Sequence, residues 1–149
     1  MQTIDLTGAW KLRQEGKRGA VAASVPGCVH MDLIRAGRIP DPYWRDNEAK
    51  LQWIGQANWA YERDFEVPAG FLANRRVLLR CEGLDTLATV WVNGRRAGTA
   101  DNMFRTWEFD VRRLLRPGAN RIRVRFASPL PYMARKMKER PLPGWRGEK

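Results

Sequence analysis

Alternation of apolar and polar side chains with a period of two residues is the feature that most constrains the fold of this chain. Such alternation is typical of strands that bury one face and expose the other. Turn-forming residues such as Asn93-Gly94 separate the alternating segments at short intervals, and the sequence VWVNGRRAGTA predicts a hairpin that reverses there. Many short strands without a strand–helix–strand repeat predict an all-β, two-sheet sandwich. The alternating segments are WAYERDFEV (59–67), RRVLLRCEG (75–83), TLATVWVNG (86–94), TWEFDV (106–111) and NRIRVRFAS (120–128).

Helical periodicity is confined to the early part of the chain. The segment VHMDLIRAGRI (29–39) has Val29, Leu33 and Ile34 on one face, and Gly37 is a suitable stop. A shorter helical turn is expected within residues 48–54. The sequence therefore predicts a β-sandwich with one or two short helices.

The C-terminal segment differs in character from the rest. Residues 1–128 form the predicted sandwich domain, whereas residues 129–149 contain four prolines and a basic cluster without strand alternation. We expect 129–149 to be irregular, a severed connection to further parts, with the residues after about Arg140 mobile or held by another molecule. An unpaired strand edge and exposed apolar area would then favour self-association.

Metal, cofactor and disulfide chemistry have little support in the composition. The two cysteines, Cys28 and Cys81, form no CxxC motif, and the one histidine, His30, lies outside any ligand cluster. The glycines stand singly at turns, so no phosphate-binding loop is indicated. We expect no metal site, no cofactor, and free thiols that are mostly buried.

The net charge of +11 raises nucleic acid as a partner. The arginines are scattered, however, and Arg121, Arg123 and Arg125 alternate along one strand, which favours a solvated sheet face over a nucleic-acid site. The first residues, MQTIDLTGAWKLRQ, carry charges where a signal peptide has an apolar stretch, and no run of residues approaches a membrane span. These features predict a soluble cytoplasmic protein that binds neither nucleic acid nor membrane.

An aromatic stretch, DPYWRDNEAKLQWIGQANWAY (41–61), combines tryptophans with carboxylates. Such residues form sugar-binding clefts, but they also form ordinary buried corners. We expect Trp53 and Trp59 to be buried, and Tyr43 or Trp44 to lie nearer the surface.

Several motifs together carry a resemblance to a known family. They are VPGCVHMDLIRAGRIPDPYWRDNEAKLQWIGQANWAYERDF, EGLDTLATVWVNGRRAG, DNMFRTWEFDV and PGANRIRVRF. The chain resembles, over nearly its whole length, the N-terminal sugar-binding domain of glycoside hydrolase family 2, and the β-mannosidases in particular. The WVNG motif is shared across the family, whereas VPGCVH, DP…NE…QW and DNMFR are closer to the mannosidase branch.

The resemblance implies a fold and a function. It implies a jelly-roll, galactose-binding-domain-like sandwich that precedes an immunoglobulin-like domain and a TIM barrel, with the catalytic glutamates on the barrel. It also implies a Gly-Trp-Asp-Trp-Gly active-site loop beyond Lys149. Asn47-Glu48 has the same two residue types as the family's Asn-Glu dipeptide, but it lies in a Pro- and Trp-rich loop and not at the end of a barrel strand. No catalytic residue is therefore assigned.

The expected function is that of an accessory domain of a retaining β-mannosidase-like enzyme, inactive alone and supporting an active site that later domains complete. Its partners would be those domains and, through the full enzyme, a β-mannoside. A stand-alone carbohydrate-binding module of jelly-roll type is the alternative, and it would present several exposed aromatic side chains on one concave face.

Three residues are candidates for contact with carbohydrate or with another domain: Asn102, Arg105 and Trp44. In DNMFRTW we expect Met103 and Phe104 to point inward while Asn102 and Arg105 stay polar at the sheet edge, where domain packing is favoured over sugar contact. On strand VWV, Val90 and Val92 should face the core and Trp91 the surface.

Overall fold

The computed structural model describes residues 2–141, and within them the chain is built almost entirely from antiparallel strands. The strands are β1 (Gly8–Gln14), β2 (Val21–Val25), β3 (Trp59–Val67), β4 (Leu78–Glu82), β5 (Ala88–Val92), β6 (Arg95–Ala100), β7 (Thr106–Asp110) and β8 (Gly118–Phe126). The α-helices are α1 (Val29–Arg35), α2 (Asn47–Lys50), α3 (Trp53–Gln56) and α4 (Pro129–Glu139), and a 3-10 turn covers Ala69–Ala73.

The strands form two antiparallel sheets. One has six strands in the order β2-β1-β3-β8-β5-β6, and the other pairs β4 with β7. Within the described residues, β4 and β7 therefore each have one pairing partner. The predicted all-β fold is confirmed, and all five alternating segments became strands.

Alternation along the central strands divides core from surface. Val90 and Val92 on β5 are buried, while Trp91 between them is half-buried on the opposite face. The neighbouring β8 repeats the pattern, because Ile122 and Val124 are buried between its arginines. The predicted orientation of Trp91 is confirmed.

The outer face of the six-stranded sheet is a ladder of ion pairs. Arg121 pairs with Asp64 at 2.7 Å, and Arg125 and Arg123 both reach Glu15, at 2.8 and 3.2 Å. Asp64 on β3 and Glu15, which directly follows β1, neutralise this part of the positive charge, as expected for a solvated face.

Helix α1 is fixed to the sheet by a buried carboxylate. Asp32 is fully buried, and it accepts hydrogen bonds from the Tyr61 hydroxyl at 2.9 Å and from the Ser24 amide at 3.1 Å. The Arg35 guanidinium lies 3.3 Å from the same carboxylate. Burial and the hydrogen bond to Asp32 raise the pKa of Tyr61.

The end of α1 confirms Gly37 as its stop. Gly37 has a φ of +62°, and its amide donates to the Ile34 carbonyl while the Arg38 amide donates to the Leu33 carbonyl. These two bonds form a Schellman motif, which requires a left-handed residue that glycine adopts without strain.

Strands β1 and β2 were not predicted from the sequence. In β1 the buried residues Trp10 and Leu12 alternate with the exposed Lys11, but the strand has only two such positions. Its register is set by pairing with β2 and β3, a relation that the local pattern does not contain.

The prediction that 129–149 is irregular is wrong for its first half, because Pro129–Glu139 forms α4. Pro129 and Pro131 lie in the first turn, where backbone amides have no partner inside the helix and proline is tolerated. Ser128 caps the helix by accepting from the Leu130 amide at 3.3 Å, and its hydroxyl donates to the Gly55 carbonyl at 2.7 Å. The prediction of mobility after Arg140 lies almost wholly outside the described residues.

Candidate functional site

One end of the six-stranded sheet gathers the loops that carry the candidate residues. Strand register places the following residues at this end: Gln14, Trp59, Ala88, Ala100 and Phe126. The connections that leave these positions are 15–20, 41–58, 83–87, 101–105 and the start of α4. We call this set of connections the rim.

Trp44 lies in the rim loop before α2, and it is exposed. Asp41 organises the loop, since its carboxylate accepts from the Tyr43 amide at 2.9 Å and its carbonyl accepts from the Asn47 side chain at 2.9 Å. Trp44 is 64% exposed and Tyr43 96% exposed. The Arg45 guanidinium lies 5.7 Å from the Trp44 ring, a cation–π distance. The prediction that Tyr43 or Trp44 lies near the surface is confirmed.

Asn102 and Arg105 lie in the rim loop between β6 and β7. The Asn102 side chain accepts from the Phe104 amide at 2.8 Å, and its carbonyl accepts from the Trp107 indole at 2.9 Å. The Arg105 guanidinium stacks 4.3 Å from the Trp107 ring. Both candidates are polar and exposed, as predicted.

The inward orientation predicted for Met103 and Phe104 is wrong. Phe104 is 90% exposed, and Met103 is 38% exposed. The bond from Asn102 to the Phe104 amide forms a tight turn, which lifts both apolar side chains away from the sheet. The result is an exposed apolar tip flanked by polar residues, which suits contact with another protein surface.

Trp107, on β7 directly after this loop, is the residue that sequence reasoning missed. Its ring stacks on Phe109 with centroids 6.4 Å apart, and the Arg105 guanidinium lies 4.3 Å from its centroid. A signal was available, because alternation in TWEFD places Trp107 and Phe109 on the same face.

A shallow groove of about 500 Å³ runs beside β7. The groove is open rather than enclosed, and polar residues and the two stacked rings share its walls. Its lining residues are Arg80, Arg105, Thr106, Trp107, Glu108 and Phe109.

Trp59 is buried as predicted, but the prediction that Trp53 is buried is wrong. The Trp59 indole donates to the Ile54 carbonyl at 2.9 Å, which fixes the ring below α3. Trp53 is 38% exposed, with its ring centroid 6.0 Å from that of Trp59. Trp53 lies at the first position of α3, and part of its ring remains in solvent.

Glu48 lies exposed on the one-turn helix α2. A retaining glycosidase needs two carboxylates about 5–5.5 Å apart on a rigid frame. A single exposed glutamate on a short helix does not supply that arrangement, so we assign no catalytic role to Glu48.

Cys81 and Asp64 have shifted pKa values, and both lie on strands and outside the candidate residues of the rim. Burial raises the pKa of the Cys81 thiol on β4 to about 11, and the Arg121 guanidinium lowers the pKa of the Asp64 carboxyl on the outer sheet face. Cys28 is exposed, so the prediction of two mostly buried thiols is wrong for that residue. Across residues 2–141, no group of three or more potential metal ligands is present. In the same range, no helix is long and apolar enough to cross a membrane.

Comparison with known proteins relates this fold to sugar-cleaving enzymes. Beta-mannosidase of Capra hircus is 38% identical over 130 residues, which make up 87% of this chain and 15% of that protein. Beta-mannosidase A of Emericella nidulans is 41% identical over 121 residues, which make up 80% of this chain and 13% of that protein. The chain thus spans less than a fifth of these relatives.

A solved structure agrees with the sequence comparison. The crystal structure of beta-D-mannosidase from Dictyoglomus thermophilum matches with a TM-score of 0.91 and 38% identity, over 95% of this chain and 18% of that one. The family model described as "Glycosyl hydrolase 2 galactose-binding domain-like" matches residues 10–149. With strands, motifs and relatives in agreement, the chain belongs to the glycosyl hydrolase 2 galactose-binding domain-like family, as the sequence resemblance predicted.

Proposed function

We propose that this chain acts as the N-terminal accessory domain of a β-mannosidase-like retaining glycoside hydrolase. The full enzyme would hydrolyse terminal β-mannosides, and this domain would support an active site whose carboxylates lie on other parts of the polypeptide. The observation that carries the proposal is the match to a beta-D-mannosidase over 95% of this chain but only 18% of that protein.

The rim supports this proposal chemically. Phe104 at its exposed tip and the open groove beside β7 provide apolar area for a neighbouring domain. Asn102, Arg105 and Trp44 add polar and aromatic groups that contact either that domain or the sugar. Within the described residues β4 and β7 each have one unpaired edge, which suits pairing with a further strand. The jelly-roll connectivity implied by the resemblance is part of this proposal.

Hydrolysis of an aryl β-mannoside tests the accessory role. The purified chain should show no turnover above buffer, and a Glu48→Gln variant should behave identically. Hydrolysis that Glu48→Gln abolishes would assign catalysis to this chain and overturn the proposal. Hydrolysis that survives this change would come from a contaminant, which a second purification route should remove.

A stand-alone carbohydrate-binding module is the second candidate function. The exposed rings of Tyr43 and Trp44 favour it, because aromatic planes stack on sugar C–H faces. If β-mannan in an affinity gel slows the migration of the chain, and Trp44→Ala abolishes that effect, the binding module is supported. If β-mannan leaves the migration of the chain unchanged, the accessory role is supported.

Two finer points belong to the same proposal. The cytoplasmic location predicted from the N-terminal residues is to be tested by cell fractionation. Self-association is expected through α4, whose Leu130, Met133 and Met137 are exposed on one helix face. We expect no direct partner among nucleic acids or membranes.

A further inference from the structure

A second, smaller cavity of about 230 Å³ lies between the β1–β2 turn, the end of α1 and the start of α3. It is distinct from the Tyr43–Trp44 loop and from the 101–105 loop. Buried apolar side chains and exposed cationic side chains both line it. The apolar lining residues include Leu12, Val21, Leu33, Trp53 and Trp59.

Trp53 gives this pocket a partly exposed aromatic wall. Its ring packs at 44° to the buried Trp59, which is itself held by the hydrogen bond to Ile54. Trp53 is therefore backed by a fixed ring. A rigid indole that borders a small cavity is suited to the C–H surface of a sugar ring.

Three cations line the same pocket: Lys17, Arg18 and Arg38. All three are exposed, and none forms an ion pair or a side-chain hydrogen bond with another residue of the described range 2–141. The lining contains no acidic side chain. Glu15, the nearest acid in sequence, is engaged by Arg123 and Arg125 on the outer sheet face.

The backbone that carries these cations is defined by hydrogen bonds. Arg13 donates to the Gly19 carbonyl at 3.0 Å across the β1–β2 turn, in which Gly16 and Gly19 both have positive φ. The Arg38 amide is itself a donor in the Schellman motif that ends α1. The positive charge is thus attached to ordered turns on both sides of the pocket.

We propose that this pocket binds a pyranose ring that bears a carboxylate, the chemistry of a hexuronate. The ring would lie against Trp53, the carboxylate would pair with Lys17, Arg18 or Arg38, and hydroxyl groups would meet Gln14 and the backbone of the turn. The volume suits one ring rather than an extended chain. This site is independent of the proposed mannosidase role, and the two can fail separately.

Calorimetric titration of the full chain with glucuronate, glucose and acetate tests the site. Glucuronate and glucose differ only at C6, so their difference reports the carboxylate, while acetate reports an anion without a ring. Glucuronate should bind saturably and at least about tenfold more tightly than glucose, the factor that one charge-assisted hydrogen bond supplies. Acetate should show no saturable heat.

Matched variants separate the pocket from general surface charge. The double change Lys17→Gln and Arg18→Gln should weaken glucuronate binding about tenfold. The control Arg75→Gln and Arg76→Gln removes the same charge from exposed residues at the opposite end of the sheet, and it should leave binding unchanged. Trp53→Ala should weaken binding, whereas Trp44→Ala should not.

Several outcomes would overturn the site. One is the absence of saturable glucuronate binding by the folded chain. The others are an affinity for glucose or acetate equal to that for glucuronate, and an equal loss of glucuronate affinity in the two charge variants. Near-ultraviolet circular dichroism of each variant checks that it is folded. If a variant fails to fold, chemical-shift changes of the Trp53 indole proton in the unaltered chain locate the binding instead.

Discussion

The Asn93 side chain donates a hydrogen bond to the Asn120 carbonyl oxygen, Oδ1, at 2.7 Å. This contact joins the WVNG turn to the PGAN turn at the end of the sheet opposite the rim. Asn120 is buried, and its amide also donates to the carbonyls of Arg116 and Gly118, while its oxygen accepts from the Arg116 amide. The WVNG motif therefore has a structural role here, distant from the candidate residues.

Asn120→Ala should lower the free energy of unfolding by about 2–4 kcal/mol, because it removes the side-chain partner of three part-buried backbone groups and one of the two hydrogen bonds of the Asn93 side-chain amide. Urea denaturation measures the change. Asn102→Ala is the control, since Asn102 is exposed and its side chain makes one local hydrogen bond, and its cost should stay within about 1 kcal/mol. Equal costs would show that the Asn120 network contributes no special stability.

Gly98→Ala should destabilise the chain by about 1–3 kcal/mol, the usual cost of overpacking. A Cβ at Gly98 would overlap Cδ1 and Cε1 of Phe109, the ring that packs from β7 onto β6. Gly55→Ala is the matched control, because Gly55 has open space and lies in α3, where alanine is favoured. In a Phe109→Leu background the cost of Gly98→Ala should fall, and an unchanged cost would exclude this clash as its cause.

Stability should decrease between pH 9 and pH 11 through Cys81. Its pKa is raised by burial from 9.0 to about 11, so above pH 9 the unfolded chain releases a proton that the folded chain retains. Unfolding is then favoured as pH rises, by about 2 kcal/mol across this window. The raised pKa of Tyr61 adds a further loss above pH 10.

The two cysteines provide the comparison for this pH dependence. Urea denaturation at intervals from pH 8 to 11 should show a shallower decline for Cys81→Ala than for the unaltered chain. Cys28→Ala should decline like the unaltered chain, because Cys28 is exposed. A decline that both variants share equally would assign the effect to other groups.

Sedimentation velocity should show association that increases with chain concentration. Met133→Lys combined with Met137→Lys should shift the chain toward monomer, because charge on the apolar face of α4 opposes its burial. Lys136→Ala is the control on the same helix, at an exposed position whose ammonium pairs with Glu139 and lies 6.0 Å from the Tyr132 ring. Association that the methionine changes leave intact would place the contact elsewhere, such as at the edges of β4 and β7.

The exposure of the three candidate residues was predicted from the sequence, but the geometry around them was predicted only in part. Asn102, Arg105 and Trp44 are exposed at one end of the sheet, as polar or amphipathic residues next to turn signals should be. The outward turn of Phe104 and the stacking of Arg105 on Trp107 were not predicted. Both follow from hydrogen bonds and contacts whose direction depends on loop geometry rather than on residue type.

The sequence alone determined strands β3 to β8, the turn at Asn93-Gly94 and the end of α1 at Gly37, because each follows from interactions between residues that are close along the chain. The tertiary structure decided where α1 docks, since Asp32 meets Tyr61 from 29 residues away, and it decided that α4 forms, since Ser128 is anchored by Gly55. It also decided that Trp53 keeps an exposed ring beside three cations. A pattern of residues specifies which face of a strand is apolar, but the partner that covers that face is selected only when distant segments pack together.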